Sequence, residues 1–138
     1  MIGIAPTTDL ESCYALRRKV FVDEQGYSAE GEVDILDPLS HHLLAHEDGL
    51  PVATARVYLE DGTAKIGRVC VLNTFRGTGL GAGLILAAIA LARDHGAKRA
   101  VLGAQIHAVG FYEKLGFSPY GDVYADEGES HQMMELSL

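Results

Sequence analysis

With 138 residues, 48% of them apolar, the chain is long enough to bury one sizeable core, and residues 1–138 read as a single domain. A formal net charge of −8 excludes a general nucleic-acid or membrane-surface binder, because both need clustered Lys and Arg to meet phosphate charge. The same acidity suits either plain solubility or a small cationic substrate.

Cys13 and Cys70 fall within apolar patterns, which implies a buried, reduced pair and a cytoplasmic protein. No apolar run approaches the roughly 20 residues needed to span a bilayer, and no leader pattern follows Met1. Residues 1–5 predict a short strand stopped by Pro6. Thr8-x-x-Glu11 has capping-box spacing, and Leu10, Cys13, Leu16 and Val20 recur at helical intervals to about Phe21. Arg17, Arg18 and Lys19 fall on the polar face of that helix. From Asp23 to Pro38 the periodicity is lost. Asp23, Glu24, Glu30, Glu32, Asp34 and Asp37 make this stretch acidic, and long loops are disproportionately functional.

Residues 42–46 and 51–59 read as strands joined at Glu47-Asp48-Gly49-Leu50, and Asp61-Gly62 is a hairpin signal into a third, 64–72. A helix over residues 80–95 ends at Gly96. The strand 100–104 then lies parallel to what precedes it, because a helical crossover separates them. A second short helix, 108–115, is closed by Gly116, and strands 117–124 and 131–136 flank the turn Asp126-Glu127-Gly128-Glu129. This order predicts an α/β (α+β) domain, a mixed sheet of about seven strands with helices on both faces.

Arg76-Gly77-Thr78-Gly79-Leu80-Gly81-Ala82, set between an apolar strand and a small-residue helix, has the make-up of an anion cradle. Glycines accept positive φ and close approach, and a helix N-terminus offers free N–H groups. The spacing also fits the dinucleotide fingerprint G-x-G-x-x-G/A, but that fingerprint follows the first strand of a βαβ unit and needs an acid closing the next strand; both are missing. A P-loop is excluded because no Gly-Lys-Ser/Thr follows. His42 and His46 share a strand face without a third ligand, so no metal is expected.

Arg76-x-x-Gly79-x-Gly81 resembles the acetyl-CoA-binding motif Q/R-x-x-G-x-G/A of the GNAT superfamily of N-acetyltransferases. Downstream, Gln105-Ile106-His107-Ala108-Val109-Gly110-Phe111-Tyr112-Glu113-Lys114-Leu115-Gly116-Phe117 resembles its later motif N-x-x-A-x-x-F/L-Y-x-x-x-G-F. Leu16-Arg17-x-x-Val20-Phe21-x-x-Glu24-Gln25, Glu32-x-Asp34-x-x-Asp37, His42, and His131 before Met133-Met134 are similar to the small bacterial ElaA/YjcF-like branch.

The resemblance implies a mostly antiparallel GNAT sheet and acetyl-CoA as acyl donor. It implies that the backbone of Val69, Cys70 and Val71 runs beside the pantetheine arm, with the Val71 N–H on the thioester oxygen as it becomes an oxyanion. The N–H groups of Gly77, Thr78, Gly79, Leu80, Gly81 and Ala82, in the motif that Arg76 opens, would bind the pyrophosphate. Ala108, Phe111 and Tyr112 would complete the donor site, Tyr112 protonating the departing thiolate. The family's usual Asn is Gln105 here, which leaves the pantetheine contact at that position open. The acceptor implied is a small-molecule or peptide amine, and a homodimer is a family-level expectation.

A lysine-like amine is protonated at neutral pH, so a base must act before attack. Glu24, Glu32, His107 and His131 are the candidates, and no motif singles one out. The acidic cluster Glu24, Glu30, Glu32 and Asp34 serves equally to attract a cationic substrate. Cys70 lies inside an apolar strand with no His pairing, so direct attack in a ternary complex is expected rather than a covalent enzyme intermediate. The alternative is a non-catalytic CoA-binding or sensing domain.

Overall fold

The computed structural model describes residues 2–27, 35–126 and 128–138. Its seven strands are β1 (Ile2–Thr7), β2 (His41–Glu47), β3 (Leu50–Glu60), β4 (Thr63–Val71), β5 (Arg99–Gln105), β6 (Ser118–Asp126) and β7 (Glu129–Ser137). They form one sheet in the order β1-β2-β3-β4-β5-β7-β6. Every pairing is antiparallel except β4 with β5. The helices are α1 (Leu10–Arg17), α2 (Leu80–Asp94) and α3 (Val109–Lys114). Among the described residues, no helix is long and apolar enough to cross a membrane.

The meander β2-β3-β4 follows from its turns. Asp48 and Gly49 (φ 51° and 84°), like Asp61 and Gly62 (49° and 78°), take the left-handed conformation that a type I′ hairpin needs at both central positions. The sheet then separates two layers by alternation along β3. Ala53, Ala55 and Val57 belong to the core of Leu84, Ile85, Ala88 and Ala92 from α2. Thr54 turns the other way, its hydroxyl donating to the Leu43 carbonyl at 2.7 Å and meeting Cys13 Sγ of α1 at 3.3 Å. Helices therefore cover both faces. Each fully buried Leu or Ile contributes about 1.5–3 kcal/mol, so the small residues of β3 matter chiefly by letting α2 approach closely. Cys13 and Cys70 are both buried in the α1 layer.

Four local expectations are corrected. Pro6 does not stop β1, because β1 is an edge strand, where a missing N–H is tolerated. Asp9, not Thr8, caps α1: its carboxylate accepts from Ser12 N at 3.1 Å and from the Ser12 hydroxyl at 2.6 Å. The helix does not decay at Phe21 but continues as a π-helix over Arg18–Glu24. Arg17 is not on a solvated face; it is fully buried and forks onto both Asp37 oxygens at 3.0 Å.

Asp37, expected in an acidic surface loop, is 1% exposed. It also accepts from Arg56 at 3.1 Å. His42 closes the cluster, with Nε2 against the Asp37 carbonyl at 2.8 Å and Nδ1 3.4 Å from Arg17. This buried knot ties α1 and the 3₁₀ turn Asp37–Leu39 to β2 and β3.

Candidate active site

A split in the sheet creates the site. Parallel strands β4 and β5 pair only from Thr63–Lys65 to Arg99–Val101 and then diverge. On the β3 side, Thr54 faces Cys70 and Arg56 faces Gly67, so two residues of β4, Arg68 and Val69, oppose Ala55 alone. This is a β-bulge, and Arg68 takes φ 52° within it. A bulge bends its strand and sharpens the twist, which carries the end of β4 away from β5.

Beyond the bulge, Leu72 N donates to Val52 O at 3.0 Å, which makes Ala53–Val71 a non-hydrogen-bonded pair of the ladder. The Val71 N–H and C=O consequently point away from β3 into the gap. Cys70 is 3% exposed and joins the α1 layer, so it offers the gap no thiol.

The loop after β4 is shaped by its glycines. Gly77 and Gly79 have φ of 78° and 86°, and Gly79 is the left-handed N-cap of α2 with no side-chain capping bond. The first N–H groups of α2 are therefore without a capping side chain, the arrangement that binds phosphate. Gly81 sits in the first turn, where a Cβ would lie 3.7 Å from the Phe111 ring and 3.9 Å from Val71. Its bareness keeps this corner of the loop open. Arg76 donates through Nε to Val71 O at 3.1 Å and through Nη1 to the Glu24 carboxylate.

Tyr112 is positioned by the end of α3. Gly116 (φ 102°) turns the chain so that Gly116 N donates to Glu113 O at 3.0 Å and Phe117 N to Tyr112 O at 3.1 Å. This Schellman cap buries Phe117 edge-on to the Tyr112 ring, centroids 6.0 Å apart, while Phe111 packs on the same ring at 5.0 Å. Tyr112 thus faces the cleft from an aromatic corner, and its hydroxyl makes no hydrogen bond to a described residue. Burial pushes the phenol up from its ordinary range, so it stays protonated.

The cleft between the diverging strands has a volume of about 490 Å³. Val69, Gln105, Ala108, Tyr112 and His131 of the expected site line it, together with Phe21, Gln25 and Tyr27 from the π-helical arm and Tyr124 and Asp126 from β6. Gln105 donates to the Tyr27 hydroxyl at 2.9 Å and lies 3.4 Å from Gln25, so its amide ties β5 to that arm. His131 is 8% exposed, with Nδ1 3.0 Å from the Glu129 carbonyl. A carbonyl only accepts, so Nδ1 is the donor, and in the neutral imidazole the lone pair is then on Nε2.

Two of the expected bases stand elsewhere. Arg76 holds the Glu24 carboxyl below its usual range, and Glu24 is not on the cleft wall. His107 is exposed on the 3₁₀ turn Ile106–Ala108 and also off the wall. Glu32 lies outside the described residues, as do Glu30 and Asp34. Sequence reasoning missed the Arg68 bulge and the cleft positions of Tyr27, Tyr124 and Asp126. A bulge seated on a non-glycine has no residue signature, and the other three come from segments that no motif links.

Known proteins agree with this architecture. The profile of the acetyltransferase (GNAT) domain matches residues 4–138. The chain is 37% identical over 128 residues to the uncharacterized N-acetyltransferase YjcF of Bacillus subtilis, covering 91% of each protein. It is 33% identical over 129 residues to protein ElaA of Escherichia coli, covering 90% of this chain and 84% of that one. An acyl-CoA N-acyltransferase from Pseudomonas aeruginosa superposes with a TM-score of 0.89 at 30% identity, over 98% and 99% of the two chains. An aminoglycoside 6′-N-acetyltransferase complexed with coenzyme A shares the fold, with a TM-score of 0.80 at 15% identity and 98% and 96% coverage. The chain belongs to the GNAT family of acetyltransferases, whose fold uses acetyl-CoA.

Proposed function

We propose that this acetyltransferase, acting as one domain over residues 1–138, moves an acetyl group from acetyl-CoA to a primary amine by direct attack, with both substrates held in the β4/β5 split. One observation carries the reading. Strand β4, which bounds the split, runs on into the glycine-shaped, uncapped α2 N-terminus, and Tyr112 and His131 on the cleft wall both present polar atoms free of described partners. The donor supplies an activated thioester; the remaining chemistry belongs to the chain.

The N–H groups from Gly77 to Ala82 bind the pyrophosphate, and backbone from Val69 to Val71 flanks the pantetheine arm, with Ala108 and Phe111 on the opposite wall. His131 Nε2 takes the proton that an ammonium must lose before its lone pair is free. The amine nitrogen then bonds to the thioester carbon, and the Val71 N–H donates to the oxygen as it gains charge. Donors placed this way each supply a few kcal/mol. The C–S bond breaks, Tyr112 gives its proton to the sulfur, and the N–H proton lost by the new amide restores the phenol through water. The net products are amide, CoA thiol and one proton.

The experiment is thiol release from acetyl-CoA with a panel of amines, comparing the wild type with Tyr112→Phe. Amine-dependent release in the wild type, reduced in the variant, supports the reading. CoA binding without release above background with any amine would favour a non-catalytic binding domain.

A further inference from the structure

Tyr124 reaches the cleft through an irregularity that sequence alone does not announce. In a regular antiparallel ladder, Tyr120 opposite Met133 would be followed by residue 122 opposite His131. Instead Tyr124 faces His131, so residues 121–123 bulge against Gln132 alone, with Gly121 at φ 72°. A bulge of that size strips carbonyls of their ladder partners. The Gln132 side-chain amide replaces them, donating to Tyr120 O at 2.7 Å and to Gly121 O at 3.1 Å.

The displaced Tyr124 ring stacks on His131, centroids 5.6 Å apart and planes 26° apart. Its hydroxyl reaches Met133 Sδ at 3.5 Å by passing over Gly103, where an added Cβ would run into it. Tyr124 as a residue stays 38% exposed. Asp126 follows two residues later on the same strand face and also lines the cleft. Its carboxylate is near enough to raise the Tyr124 phenol, behind the larger effect of burial.

We propose that Tyr124 and Asp126 form an ammonium subsite that selects primary alkylammonium acceptors, and that Gln132 and Gly103 are the positioning residues that put Tyr124 there. The inference rests on the acyl-transfer reading of the cleft. A π face beside a carboxylate attracts a protonated alkylamine through ring quadrupole and charge together. A neutral arylamine gains only the stacking part. His131 is offset against the same ring, 5.6 Å between centroids, with Nε2 unengaged, so the subsite adjoins the group assigned to deprotonate the ammonium.

The test is steady-state thiol release at saturating acetyl-CoA with 1,5-diaminopentane, Nα-acetyl-lysine amide and aniline. Both alkylamines should be preferred. Asp126→Asn should raise their KM about tenfold with little change in kcat or in the aniline rate. Gly103→Ala should raise the alkylamine KM in the wild type but not in a Tyr124→Ala background, and Gln132→Met should behave likewise. A preference for aniline, or an alkylamine KM unmoved by Asp126→Asn, overturns the subsite. The Asp126 arm stands even if the Gly103 variant fails to fold, because Asp126 is a surface side chain. Equal effects of Gly103→Ala with and without Tyr124 overturn the positioning roles. Acetyl-CoA binding with no thiol release from any amine overturns acyl transfer itself, a result distinct from turnover with the wrong selectivity.

Discussion

The proposed donor and acceptor sites are built from different materials. The proposed donor site is backbone: two left-handed glycines, a bare Gly81, an uncapped helix and Val71 groups turned into the gap. The proposed acceptor site is side chain: Phe21, Tyr27, Tyr124, Asp126 and His131, brought from separate segments to one cavity. Backbone sites depend on a few conformations that only glycine adopts without cost, and they tolerate change elsewhere. Side-chain sites depend on whatever holds distant segments together, here the buried Arg17–Asp37–Arg56 knot and the Gln132-clamped bulge.

The largest effect should come from the knot. Asp37→Ala leaves two guanidinium groups buried without their carboxylate, and breaking a buried pair costs about 3–5 kcal/mol. Urea denaturation should show that loss. A loss below about 1 kcal/mol would mean the knot is not what ties α1 to the start of β2.

Next comes the donor site. Gly81→Val should keep the fold, since its backbone is helical, yet weaken CoA binding about a hundredfold, or ~2.8 kcal/mol, by filling the cradle beside Phe111 and Val71. Gly79→Val should lose CoA binding and stability together, because a β-branched residue is strained at φ 86°. Thermal shift with CoA separates the two: at 100 times its Kd, the wild type should gain about 2.7 kcal/mol.

Tyr112→Phe should reduce kcat about tenfold without moving either KM. A thiol leaves readily with its pKa of about 8.5, so help from a phenol is modest. Initial rates with each substrate varied in turn would check this.

The smallest effect lies outside both sites. His41, half-buried against His95 with ring centroids 4.3 Å apart, is pushed below its ordinary value by burial, then by His95 and His42. The unfolded chain therefore binds the extra proton first, so stability should rise with pH up to the ordinary imidazole value of about 6.5 and fall as pH drops below it. Melting temperatures from pH 8 to 5 should show that slope in the wild type and a shallower one in His41→Phe, with CoA affinity unchanged.

The same contrast explains what could be read in advance. The strands, their order along the chain and the crossover helix were legible because Asp-Gly turns, alternation and Gly caps act locally. The donor loop was legible because glycine spacing records backbone shape. Arg17 defeated a helical-wheel reading because its partner Asp37 is 20 residues away, and no local rule separates a solvated arginine from a paired, buried one. Glu24 is one of four base candidates in the sequence, and its ion pair with Arg76, 52 residues on, leaves no local signature. Tyr124 and Asp126 stayed hidden because a bulge without a fixed residue pattern decides which β6 side chains meet the cleft.

A crystal structure of the chain with CoA bound tests the central claim most directly. The pyrophosphate should lie on the N–H groups from Gly77 to Ala82, and the sulfur in the β4/β5 split within hydrogen-bonding distance of the Tyr112 hydroxyl. CoA bound elsewhere, or a sulfur directed away from Tyr112 and the Val71 N–H, would contradict it.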